Sequence, residues 1–184
     1  MRKLFASIAV FVAVLVAGVV GPSSSATAAP TVSLVAWPQA VVYVYDTTAA
    51  VKKGDGTQTW PVKAAAARWS KGNPVDIRYT STGCPANVQC VTIRQSELAD
   101  PTVGLTTTKT GGGVIKTSSI TLDTTFGRKN SAARRQNVVC HEMGHALGLK
   151  HRDTTGSCMK SYVTSERYPD STDIKTLKKM YAAR

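Results

Sequence analysis

All three histidines of this 184-residue chain lie within eleven residues, in the stretch VVCHEMGHALGLKHRDTTGSCMKSY from Val138 to Tyr162. On a helical wheel of about 100° per residue, His141 and His145 share one face, while Val139, Met143 and Ala146 share the opposite one. A helix that buries the second face on a core aims both imidazoles at one point. Imidazole nitrogen binds Zn2+ at about 2.0–2.1 Å, and an i, i+4 pair on a helix reaches a single ion. Glu142 sits beside the pair, too far round to be the natural third ligand but close enough to hold a water on the metal. Gly148 supplies the left-handed conformation that ends a helix, so the chain bends back and brings His151 to the same ion. Three neutral imidazoles leave a coordination position open for water, as in a catalytic zinc site rather than a closed structural one. HExxH alone is a weak pattern. Gly148, His151 and the lack of any other histidine make it specific.

The rest of the chain sets the context. Arg2 and Lys3 precede an apolar run from Leu4 to Val20, and Ala26-Thr27-Ala28 ends a small-residue stretch. That order reads as a secretory signal peptide over residues 1–28, the alternative being an uncleaved membrane anchor, since the apolar run is near the lower length limit of a span. Residues 29–40 read as a short N-terminal arm and 41–184 as one domain, large enough for a core. Export implies an oxidising setting, so the four cysteines are expected as two disulfides. Three connectivities are open, and the favoured one joins neighbours, Cys84–Cys90 and Cys140–Cys158. Without Arg2 and Lys3 the formal charge falls from +12 to +10, which suits an anionic surface or acidic substrates. The basic residues are scattered, with no finger, basic zipper or stacking motif, so no nucleic-acid partner is expected.

Secondary structure follows from local pattern. Val41–Tyr45 is β-branched and aromatic, hence a strand. KKGDGTQ, residues 52–58, is a turn. Thr59 is placed to cap a helix beginning near Pro61, and Gly72-Asn73-Pro74 stops it. Val75–Tyr79 and Cys90–Arg94 read as strands, and Gly111–Gly113 as a flexible break. Val114–Phe126 reads as a strand pair or an edge strand. Asn130 or Ser131 caps a helix reaching about Leu149, and Ser171-Thr172-Asp173 caps a last helix, on which Ile174, Leu177 and Tyr181 share a face.

HEMGHALGLKH fits HExxHxxGxxH and resembles the metzincin clan of zinc peptidases, which carry a methionine turn after the third histidine. Here GSCMKSY places Met159 eight residues after His151. VKAAAARWSKGNPVDIRYT resembles the first helix and second strand of matrixin catalytic domains, SSITLDTTF their edge strand, and YPDSTDIKTLKKMY their closing helix. The cysteine that plugs the zinc in matrixin zymogens has no counterpart. The resemblance implies an α+β fold: a twisted mixed sheet with a long zinc-binding helix and a C-terminal helix. It also implies one catalytic Zn2+, Met159 as a packing floor, and an extended peptide bound beside the Ser118–Thr125 strand. Tyr162 falls three residues after Met159, one more than the oxyanion-assisting tyrosine of astacins and serralysins, and is a candidate either for packing, the favoured reading, or for that part. Nothing in the sequence speaks for calcium.

The expected function is a secreted, monomeric zinc endopeptidase that hydrolyses peptide bonds in proteins or peptides by a metal-activated water, with Glu142 as general base. The alternative is a secreted, basic, zinc-stabilised binding protein for anionic surfaces or polymers, without catalysis.

Overall fold

Valines at every second position make VVYVYD a half-buried strand, β1 (Val41–Asp46), with Val42 and Val44 fully buried. The computed structural model describes residues 35–50 and 58–182. The signal-peptide segment 1–28, the first part of the arm (29–34) and nearly all of the 52–58 turn lie outside them. Among the described residues, no helix is long and apolar enough to cross a membrane.

Four strands run parallel: β1, β2 (Asp76–Thr80), β3 (Cys90–Ser96) and β5 (Val114–Asp123). A fifth, β4 (Gly104–Gly111), is antiparallel to β5, and the order is β2-β1-β3-β5-β4. Val114–Phe126 is therefore not a strand pair or an edge strand. Its first ten residues form the interior strand β5, which alternates Ser118, Ile120 and Leu122 into the core, and its end turns into a short helix, α2 (Thr124–Lys129), capped by Asp123. The edge strand is β4. Gly112 and Gly113, both at positive φ, form the two-residue turn of a β4–β5 hairpin rather than a flexible break.

Helix α1 (Val62–Ser70) buries Val62, Ala65, Ala66 and Trp69. Thr59 does not cap it. Pro61 occupies the cap position with no side-chain bond, so the entry relies on proline's fixed φ. The long helix α3 (Ala132–Ala146) is capped by Ser131, whose hydroxyl accepts from Arg134 N, and it stops three residues short of Leu149. The last helix, α4 (Ser171–Tyr181), is capped by Asp170 rather than by Ser171 to Asp173. Asp173 is the reciprocal partner in that capping box. Residues 35–40 of the arm pack on the domain: Ala36 bridges to Val114, and Trp37 is buried in the core.

Three buried side chains fix α3 in place. The Trp69 indole donates to Cys140 O (2.9 Å), and the Trp37 indole to Ala146 O (2.9 Å). Tyr181 Oη donates to Leu147 O (3.1 Å). The last two satisfy carbonyls at the helix end that have no partner within the helix. The cysteines pair as Cys84–Cys90 and Cys140–Cys158. The second bridge ties α3 to the loop eighteen residues on. Replacing Cys140 and Cys158 together by alanine is expected to lower unfolding free energy by about 3 kcal/mol, the loop-entropy value for a ring of this size. Urea titration of both proteins checks this, and a loss under about 1 kcal/mol would mean that the bridge constrains nothing the fold does not already hold.

Candidate metal centre

Helix α3 buries Val139, Met143 and Ala146 on the core and turns His141 and His145 towards a cleft of about 930 Å3. It ends as the glycine requires. Leu149 N bonds Gly144 O (2.9 Å), Gly148 N bonds His145 O (2.9 Å), and Gly148 sits at φ +100°. A Cβ on Gly148 would fall 2.0 Å from Val35 O, so the close approach of residue 35 demands glycine as much as the left-handed turn does. The reversed chain brings His151 back over the helix, with its ring centroid 5.0 Å from that of His141 and 4.7 Å from that of His145.

The ring orientations follow from carbonyls placed by these turns. His141 Nδ1 lies 2.9 Å from Cys158 O, and His145 Nδ1 lies 2.9 Å from Leu149 O. A carbonyl only accepts, so each Nδ1 carries the hydrogen and each Nε2 presents a bare lone pair. Those two nitrogens converge with that of His151: His141 Nε2 is 3.0 Å from His145 Nε2 and 3.2 Å from His151 Nε2. Burial, then the neighbouring His145, push the His141 imidazole down to about 4, and burial also lowers His151. Facing lone pairs repel, and a cation among the three nitrogens removes the repulsion. Tetrahedral zinc with imidazole ligands sets nitrogens about 3.3 Å apart, so the donor set and its spacing fit that ion.

Met159 is fully buried and packs on α3 at Gly144. Its Sδ would lie 2.3 Å from a Cβ built on Gly144, which explains why glycine stands between the two helical histidines. The loop carrying His151 and Met159 is pinned from below. Arg152 N bonds Met159 O (2.8 Å), and the Arg152 guanidinium grips Asp170 and the fully buried Asp173. Ser157 Oγ donates to Asp173 Oδ2 (2.6 Å) and accepts from Met159 N (2.9 Å).

Glu142 is buried on the β4 side of the histidines and lines the same cleft. Burial holds its carboxyl above the ordinary value, opposed by the Thr106 hydroxyl. Tyr162 lies at the cleft rim, 62 % exposed, with its hydroxyl 3.3 Å from Lys160 Nζ. The histidines, Glu142 and Met159 are thus gathered at one place, with Tyr162 at its edge. Sequence reasoning passed over β4, whose Gly104, Leu105 and Thr106 form the opposite wall. The signal was present, since LTTTKT before Gly-Gly is a β-branched run before a hairpin turn.

No match was found among curated proteins. Among solved structures, a chain of "GM1 bound form of the ECX AB5 holotoxin" is 17% identical, with 77% of this chain and 79% of that chain covered and a TM-score of 0.47, too low a likeness to argue from. The model of the matrixin family (peptidase M10) matches residues 55–182, which take in α1, the strands from β2 onward, the three histidines and α4. With that match spanning more than half of the chain, the protein belongs to the matrixin family of zinc-dependent peptidases.

Proposed function

We propose that this protein is a secreted, monomeric endopeptidase that binds one zinc ion through His141, His145 and His151 and uses Glu142 as its general base. The carrying observation is the convergence of three imidazole nitrogens next to a buried glutamate in an open cleft. Secretion rests on the signal-like residues 1–28. A zinc ion so held supplies Lewis acidity towards a water molecule and a peptide carbonyl.

The chain's own groups do the rest. Among the described residues, the sheet order leaves the far edge of β4 without a strand neighbour, and Leu105, Thr106 and Thr108 line the cleft. An extended peptide adds to that edge through main-chain hydrogen bonds, so the strand the substrate meets is β4 and not β5. Glu142 takes a proton from water as the water oxygen bonds to the scissile carbonyl carbon. It gives that proton to the amide nitrogen as the C–N bond breaks. Its burial favours the neutral, proton-carrying form and so assists the second transfer. The basic, non-catalytic binder is the weaker reading, because a purely structural ion has no use for a buried carboxylate facing a cleft.

His151→Ala is expected to lose most of its zinc after dialysis against metal-free buffer, as read by elemental analysis. Full occupancy in that variant would remove His151 from the ligand set. Glu142→Ala is expected to retain zinc and lose proteolysis of casein by about 10^3–10^4-fold or more, since general acid–base catalysis alone supplies about 10^2–10^4 and the residue also places the water. Cleavage within tenfold of the parent, with zinc bound, would contradict the assignment of the base.

A further inference from the structure

The cleft wall opposite the histidines touches Glu142 at two positions of one strand. Thr106 Oγ1 lies 2.6 Å from Glu142 Oε2 and 2.9 Å from Glu142 O. The hydroxyl has one hydrogen for two acceptors, and the shorter, charge-assisted bond to the carboxylate oxygen takes it. Two residues earlier, on the same face of β4, Gly104 leaves the space in which the carboxylate lies. A Cβ there would stand 2.7 Å from Glu142 Oε1 and 2.8 Å from Glu142 Cγ. One position of the strand thus holds the carboxylate and the other makes room for it.

We propose that Thr106 is a positioning residue for the general base. Its hydroxyl occupies Glu142 Oε2 and fixes the side-chain torsions, which leaves Oε1 as the oxygen that takes up and returns the proton. The inference rests on the peptidase reading above. It gives β4 a double part: its free edge receives the peptide, and its inward side chain sets the base. The carboxylate and the scissile bond are then referred to the same strand. A hydroxyl is suited to this, because it donates one hydrogen bond without adding a charge that would draw Glu142 away from the cleft, as a lysine or arginine would. The threonine also suits the strand, where a β-branched residue packs well.

The test compares Thr106→Val, which keeps the shape and removes the hydroxyl, with Thr106→Ser, which keeps the hydroxyl. Steady-state hydrolysis of a fluorogenic peptide gives kcat and KM separately, elemental analysis gives zinc content, and crystal structures of the parent and Thr106→Val give the place of the Glu142 carboxylate. A carboxylate displaced by about 1 Å costs up to about 10^2-fold in rate. Thr106→Val is therefore expected to lower kcat by about 10–100-fold with KM within about twofold and zinc unchanged, while Thr106→Ser stays within about threefold of the parent. In the Thr106→Val crystal the carboxylate should have left its place beside β4. A kcat within twofold of the parent, a loss confined to KM, a loss of zinc, or a Thr106→Ser variant as impaired as Thr106→Val would each overturn the proposal. A parent that cleaves no peptide would count against the peptidase reading instead. The crystal structures then decide the hydroxyl's part alone, since an unmoved carboxylate in Thr106→Val refutes it.

Discussion

Imidazoles that point bare nitrogens at one another repel, and the chain meets that cost at His141 and His145 by holding those two rings from behind. Cys158 O and Leu149 O take the Nδ1 hydrogens of His141 and His145, so neither ring can turn its lone pair away. Both carbonyls lie in backbone that follows α3: one in the Schellman turn, the other at the far end of the loop carrying His151. The centre therefore depends on the conformation of the twelve residues after the helix as much as on the helix.

Those residues are held from several sides at once. Gly148 turns the chain where Val35 O leaves no room for a Cβ. The Cys140–Cys158 bridge, Arg152 on Asp170 and Asp173, and Ser157 on Asp173 fasten the loop to α3 and to α4. Met159 fills the space beneath Gly144. Trp37, Trp69 and Tyr181 fix the helix itself through its carbonyls. A guanidinium and a hydroxyl meet the oxygens of Asp173 at zero exposure, and a buried ion pair of this kind specifies loop geometry more than it adds stability.

Much of the site is legible in the sequence, because it is carried by local spacing. The i, i+4 histidines, the apolar stripe of Val139, Met143 and Ala146, and the turn at Gly148 are all set within eleven residues. The β-branched runs at Val41, Val75 and Cys90 mark their strands to within a residue or two. What was misread depends on distant partners. Residues 114–123 and 104–111 each carry four hydroxyl side chains. Which of them is interior follows from which one β3 pairs with, and no local pattern reports that. The same limit hid Thr106, whose importance lies in a bond to Glu142 across thirty-six residues. The caps at Pro61 and Asp170 were misplaced by one or two residues, where several polar residues compete for one position.

The central claim is that the three facing nitrogens are the ligands of one zinc ion. A crystal structure of the metal-loaded protein, with anomalous data collected on both sides of the zinc absorption edge, tests it most directly. The account predicts one anomalous peak per chain, about 2.0–2.1 Å from Nε2 of His141, His145 and His151. The Nδ1 contacts to Cys158 O and Leu149 O should be retained. A zinc ion bound through Nδ1, bound by only two of the three histidines, or seated elsewhere on the chain would contradict it.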